Sequence, residues 1–353
     1  MAKKKVILVG YIRLGHPPVD GETTKNQFII KELGKYCDVI PLDFYEKNKH
    51  PWIYLQALWA FISHPDASVI LSTTAKNVYS LLKIFKAFGV KRNFVHWIIG
   101  GCFDQMVKDG IYDAEVLNYL SFNLAQCHSM VDVLKECGVT NAKFVSNFKD
   151  IPYYPSIDTK LENLENGKVD VYRFVFLSRI MKKKGVNYIL EAVRRLNAEG
   201  YGKRFIVDLY GKMDLTYKEE FENDSSRLDN VKYHGLLNLR SNEGYDVLSS
   251  YHAMLFPTYH PSEGIAGVII DAYIAGLPVI ASDWAHNRES VIDGKTGIII
   301  PTHDVDALVD KMRDVIDNKI DLVCLSKNAQ KEAHSYEAEN VITEDYLRSI
   351  NII

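Results

Sequence analysis

The chain reads as an α/β protein of two doubly wound domains, each a parallel sheet wrapped by helices. Three observations predict this. Short apolar blocks alternate with helix-period segments from end to end, the pattern of parallel strands joined by crossover helices. The length, 353 residues, exceeds one ordinary core. Residues 150–170, rich in Pro, Tyr, Asn and acid, break the alternation and mark the crossing from one domain to the next.

In order, residues 6–9, 39–42, 69–71 and 94–99 have the unbroken apolar character of strands buried on both faces. Residues 26–36, 52–62, 78–88 and 116–126 have the spacing of the helices between them. A helix at 128–137 and a strand at 143–146 follow. Beyond the crossing, strands at 174–177, 205–210, 232–234, 253–256 and 279–281 alternate with helices that include 187–197 and 304–316. The predicted domains are 1–155 and 156–330, with a helical stretch over about 325–350 and a C-terminal segment at 331–353.

Composition excludes several classes. Hydrophobic content of 47% and charged content of 25% suit a soluble globular enzyme. A net charge of −3 gives no basic field for nucleic acid. Five cysteines without a Cys-x-x-Cys imply reduced thiols in the cytoplasm rather than a disulfide framework or a zinc site. Lys3, Lys4 and Lys5 precede only a short apolar block, which predicts a first strand rather than a secretory leader. The longest apolar stretch, 52–62, is about half of the roughly 20 residues that span a bilayer.

Residues 257–301 carry most of the functional information. They read as loop, helix, strand, loop, turn and second strand. Glu263 and Gly264 lie just before an apolar helical run, Asp271 sits eight residues after Glu263, and Gly276, Leu277 and Pro278 stop the helix. A loop entering a helix N-terminus offers free N–H groups and a favourable dipole to a phosphate. Carboxylates ahead of and inside that helix can accept hydrogen bonds from sugar hydroxyls. This is the chemistry of a nucleotide-sugar site.

The segment Ser262-Glu263-Gly264-Ile265-Ala266-Gly267, then Asp271-Ala272 and Gly276-Leu277-Pro278-Val279, resembles the Glu-x7-Glu region of retaining glycosyltransferases of GT-B type. These form the large bacterial group 1 family that builds surface polysaccharides. Two departures stand out: the second acid is Asp271 rather than Glu, and the glycine after the cradle is displaced to Gly267. The resemblance implies two Rossmann-like domains facing each other across a deep cleft, with the acceptor bound by the first and the donor by the second. The C-terminal helix would cross back to the first domain. It also implies that Glu263 meets the donor sugar and Asp271 the ribose, while the amides of Gly264, Ile265, Ala266, Gly267 and Val268 cradle the diphosphate.

Arg179 and Lys184, in Ser-Arg-Ile-Met-Lys-Lys-Lys-Gly after the second domain's first strand, match the family's diphosphate-holding pair. Fixed cations there would stabilise charge on the departing diphosphate. As exposed loop cations they should matter little to folding. The loop from Gly10 to Lys25 has no Gly-x-Gly-x-x-Gly and no P-loop. In the family it faces the donor phosphates, so Gly21 is read as a backbone-approach glycine and Lys25 as a further candidate ligand. His96 fits both a core histidine and, in the resemblance, a group near the donor sugar. Asn147 would organise the passage between the domains. Asp304 and Asp306 form an Asp-x-Asp, but helix capping explains it, and no cluster has metal spacing.

The expectation is a metal-independent, retaining hexosyltransferase with no cofactor beyond its donor, a UDP- or GDP-sugar, and a saccharide acceptor, free or lipid-linked. Two rival readings share the scaffold: a nucleotide-sugar-binding protein with a degenerate site, and an epimerase. Residues 76–92 hold five cations and no acid, with Lys76, Lys83 and Lys86 at helical spacing. They fit either an ordinary surface helix or a peripheral contact with the inner face of the membrane. Trp52, Trp59 and Phe61 on the preceding helix are expected mainly in the core.

Overall fold

The computed structural model describes residues 3–353, which divide into two compact units: residues up to Asp150 together with Tyr336–Ile353, and Ile151–Ser335. The boundaries fall five residues from the predicted ones at each crossing. No helix among the described residues is long and apolar enough to cross a membrane.

Unit 1 holds β1 (Lys5–Gly10), β2 (Asp38–Asp43), β3 (Ser68–Ser72), β4 (Phe94–Trp97), β5 (Phe122–Ala125) and β6 (Ala142–Phe144). They form one sheet in the order β2-β1-β3-β4-β5-β6, with every pair parallel. The winding reverses between β1 and β3, which opens a crevice at the carboxyl ends of those strands. Gly10 ends β1 in that crevice, where a Cβ would sit 2.4 Å from the Ser72 carbonyl oxygen. The Gly21–Tyr36 helix starts earlier than its apolar period because Asp20 and Thr23 form a capping box.

The predicted helix at 116–126 is not present. A short helix, Ala114–Leu117, is followed by β5. Val116, Leu120 and Leu124 mimic a helical period, but Asn118 turns the chain by donating to the Gly138 carbonyl and accepting from the Thr140 amide. The segment after it is then needed between β4 and β6. The chain's end is also broken up rather than one helix, into Leu322–Ala333, Ala338–Val341 and Glu344–Ser349. Its last part belongs to unit 1: Leu347, Ile350 and Ile352 are fully buried with Val6 and Leu8. Lys149 bonds through its backbone to Tyr336 and Ala338.

Unit 2 holds β7 (Tyr172–Leu177), β8 (Phe205–Tyr210), β9 (Val231–Tyr233), β10 (Ala253–Phe256), β11 (Val279–Ser282) and β12 (Gly297–Ile300). The order is β12-β11-β10-β7-β8-β9, again wholly parallel, with the reversal between β7 and β10. The tract after Asp150 is not all loop. It contains the Asp158–Glu165 helix, whose Leu161 and Leu164 are buried.

Gly185 follows the basic run in the left-handed region at φ 80°, and a Cβ there would lie 2.1 Å from the Pro257 carbonyl oxygen. The chain leaving β7 can therefore lie against the chain leaving β10 only with glycine at this position. Gly34, by contrast, is exposed inside a helix, with nothing within 4 Å of its Cβ position. In thermal or urea unfolding, Gly34→Ala should stabilise the protein by about 0.4–1 kcal/mol, while Gly185→Ala should destabilise it. Equal shifts would contradict the close approach.

Candidate functional site

The two loops that flank the unit 2 crevice meet at one buried ion pair. Lys184, after β7, places Nζ 2.5 Å from Glu263 Oε2, after β10. Thr258 donates its hydroxyl to the same oxygen at 2.8 Å. Lys184, Glu263 and Thr258 are 7%, 6% and 0% exposed. Burying two charges carries a desolvation cost that geometry and further hydrogen bonds must offset, and the Thr258 hydroxyl supplies one such bond. The expectation that Lys184 is an exposed cation of little structural weight is thus corrected.

Other bonds fix the same loop. The Tyr259 amide donates to the Lys183 carbonyl at 2.9 Å. Trp284 Nε1 donates to the His260 carbonyl at 2.8 Å, and Ser282 Oγ donates to that of Thr258. Thr258, Ser282 and Trp284 were not singled out from the sequence. The available signal was their position at or just beyond the carboxyl ends of β10 and β11. His260 is held below the ordinary histidine range, first by burial and then by the Lys184 charge.

Arg179 lies exposed on the loop after β7; Asp214 is held below its ordinary pKa chiefly by hydrogen bonds from Thr216, with the Arg179 charge a smaller contribution. Lys182 is exposed and paired with Glu220 at 2.9 Å. Because Glu263 compensates Lys184, Arg179 supplies the less compensated charge of the predicted pair. The helix after the loop is Gly267–Ile274, with Ala266 at its N-cap and no side-chain cap. By contrast, Asp304 caps Val305–Ile316, accepting from the Ala307 amide at 2.8 Å, and Asp306 pairs with Arg195. The Asp-x-Asp is structural.

Gly264, Ile265 and Ala266 form the approach to this helix, and Gly267 and Val268 lie in its first turn. Asp271 is buried within it and accepts from the Tyr245 hydroxyl at 2.8 Å. Burial and this carboxylate push the Tyr245 phenol up.

Unit 1 places its candidates as follows. His96 lies within β4, one residue before its end, with 1% exposure. Burial lowers its pKa to about 4. Its Nδ1 is 3.3 Å from Asn123 Oδ1, and Asn123 Nδ2 donates to Leu117 O and Asn141 Oδ1. Oδ1 is therefore the acceptor, Nδ1 carries the proton and Nε2 presents a lone pair. Nε2 has no partner among the described residues. Gly21 opens its helix, exposed, with nothing within 4 Å of its Cβ position. Lys25 is corrected: it is buried, lies 3.5 Å over the Phe148 ring and donates to Asn147 Oδ1 at 2.8 Å. It cannot serve as a phosphate ligand in this position. Glu22 was missed. Burial raises its pKa to about 7, and its side chain hydrogen-bonds Thr73.

Comparison with known proteins finds likenesses to glycosyltransferases. Residues 171–318, which lie within unit 2, match the family model described as "Glycosyl transferases group 1". The capsular polysaccharide biosynthesis glycosyltransferase CapM of Staphylococcus aureus is 23% identical over 173 residues, covering 48% of this chain and 43% of CapM. The likeness thus spans less than half of that relative. Among solved structures, Anabaena HepE in complex with UDP and glucose superimposes at a TM-score of 0.70 and 15% identity, over 99% of this chain and 100% of HepE. The lipopolysaccharide outer core galactosyltransferase WaaB, in its apo form, gives 0.70 at 16% identity, over 99% of this chain and 100% of WaaB. The fold is that of the GT-B class.

The buried histidines set an acid limit on stability. His96 in unit 1 and His252 in unit 2 are both lowered to about 4, chiefly by burial. Each unfolded ring takes up a proton near pH 6.5, so folding is progressively disfavoured as pH falls from about 6.5 to 4. Melting temperature measured across that window should fall less steeply in His96→Gln and in His252→Gln than in the wild type. Parallel curves would show that neither ring is neutral in the folded protein.

Proposed function

We propose that the chain is a retaining hexosyltransferase of surface polysaccharide synthesis, taking a nucleotide diphosphate sugar as donor and a saccharide as acceptor. The observation that carries this reading is the Lys184–Glu263–Thr258 cluster, seated at the sheet crevice beside an uncapped helix N-terminus. Carboxyl-end crevices are where such sheets bind ligands, and free amides at a helix start bind phosphate. The solved complex of HepE with UDP and glucose supports a uridine donor first among those to test.

In this reading the Arg179 guanidinium and the amides around Gly264 to Val268 meet the diphosphate, so its charge is matched without a divalent cation. Lys184 holds Glu263 in place and adds N–H donors. Glu263 Oε1, the oxygen not engaged by Lys184 and Thr258, accepts from a hydroxyl of the sugar, and Asp271 with Tyr245 addresses the ribose. Displacement occurs on the front face. The bond from the anomeric carbon to phosphate breaks and a bond to the acceptor oxygen forms on the same side. The acceptor proton passes to the departing phosphate oxygen, and developing charge there is stabilised by preorganised donors. The enzyme would work at the cytoplasmic face of the membrane.

A thermal-shift screen of UDP-, GDP- and ADP-sugars identifies the donor, since a ligand at 100 times its Kd adds about 2.7 kcal/mol. Arg179→Ala should then lower donor turnover, as transfer or slow hydrolysis, by about 100-fold or more, with melting unchanged. A shift with a nucleotide sugar but no turnover would favour a binding protein. Interconversion of free nucleotide sugars without acceptor would favour an epimerase. Wild-type turnover in the Arg179 variant would remove the diphosphate assignment.

A further inference from the structure

Unit 1 contains a cavity of about 780 Å³ between the Ile53–Ser63 and Ala75–Ala87 helices, a size typical of ligand sites. Leu58, Phe61 and Ile62 line one wall and Leu81, Ile84 and Phe88 the other. The helices touch where Phe61 meets Phe85, with ring centroids 5.7 Å apart. Its inner end is formed by Gly10, Tyr11 and Thr73, at the crevice between β1 and β3.

That inner end is polar. Asn77 Nδ2 lies 3.4 Å from both the Tyr11 hydroxyl and Thr73 Oγ1, Glu22 bonds Thr73, and Lys47 stands 5.7 Å from the Tyr11 ring.

The outer surface is apolar to an unusual degree. The Ile53–Ser63 helix carries no charged residue, and a helix apolar all round needs a non-aqueous partner. Trp52, Leu55, Trp59 and Phe88 are 70%, 58%, 67% and 81% exposed, which corrects the expectation that the tryptophans are core. Beside them, 76–92 holds five cations and no acid. Lys86 pairs with Glu115 and Arg92 donates to the Phe61 and His64 carbonyls. Lys76, Lys83 and Lys91 remain exposed, with Lys83 over the Tyr79 ring.

We propose that this cleft holds the hydrocarbon chain of a lipid-linked acceptor, a saccharide joined through phosphate to a long apolar chain. The inference rests on the glycosyltransferase reading and names the acceptor's carrier. The apolar walls take the chain, and the polar inner end takes the head at the strands' carboxyl edge. Lys47, at the inner end beside Tyr11, complements an anionic phosphate. A bilayer lipid would need only the outer face. A carrier lipid needs a passage running inward, because its saccharide must reach that edge. The exposed tryptophans suit the water–lipid boundary from which the carrier is drawn.

Calorimetry with dodecyl phosphate below its micellar concentration tests this, with inorganic phosphate as control. Ala57→Trp fills the cleft from one helix, and Ser80→Trp fills it from an exposed position on the other, where folding is not at risk. The wild type should bind one dodecyl phosphate saturably and ignore inorganic phosphate, and both variants should bind at least about tenfold more weakly. Equal affinity in wild type and variants overturns the proposal. So does attachment to phosphatidylglycerol vesicles without saturable dodecyl phosphate binding, which would leave only a bilayer contact. A dimer that excludes the probe and dissociates in Trp52→Glu/Trp59→Glu would assign the face to a second copy, again overturning it. Nucleotide-sugar hydrolysis, measured in parallel, separates the two readings. Hydrolysis without probe binding removes the cleft alone, whereas saturable probe binding without hydrolysis leaves the cleft and removes the transferase.

Discussion

The site in unit 2 depends on one buried charge pair. Lys184 and Glu263 come from loops on opposite sides of the β7/β10 reversal, 79 positions apart in sequence. Neither charge is tolerable alone in so dry a setting, so each loop fixes the other. Thr258 completes the arrangement from the first turn after β10. Gly185 makes it sterically possible by letting the two chains touch. The amides before the Gly267–Ile274 helix and the Arg179 guanidinium take their places from these anchored loops.

Each unit has its candidate site where its strand order reverses, and this follows from topology. At a reversal the connecting chains leave in opposite directions, so their first residues part and expose backbone at the carboxyl edge. In unit 2 the gap is bridged by charge. In unit 1 it is bridged by a neutral amide: Asn26 Nδ2 donates to both the Tyr11 and Ser72 carbonyls at 2.9 Å. The charged bridge suits a site for an anionic diphosphate. The neutral one borders an apolar cavity.

Much of this was legible in the sequence. The strands of both sheets stand out because they are short apolar runs with few alternatives, and residues 205–210 and 253–256 were placed to the residue. The segment from Glu263 to Val279 was readable because glycine, proline and carboxylate positions there answer to backbone geometry. What escaped was set by partners distant in sequence. Residues 122–125 become a strand only because β4 and β6 flank them. Asp158–Glu165 is a helix because unit 2 buries Leu161 and Leu164. Lys25 and Lys184 look like loop cations until the fold turns them inward, and Trp52 and Trp59 look like core until the helix that carries them is found to lie half uncovered. Burial of a charge, or exposure of an apolar side chain, is decided by three-dimensional neighbours that composition does not name.

The most direct test of the central interaction is a double-mutant cycle on stability with Lys184→Met, Glu263→Gln and the pair together. A mutually dependent buried pair predicts that each single variant loses about 3–5 kcal/mol, because it strands the opposite charge. The double variant should recover most of that loss, leaving a coupling of several kcal/mol. Single losses that simply add, with coupling below about 0.5 kcal/mol, would contradict the account, since the two loops would then be held by something other than each other.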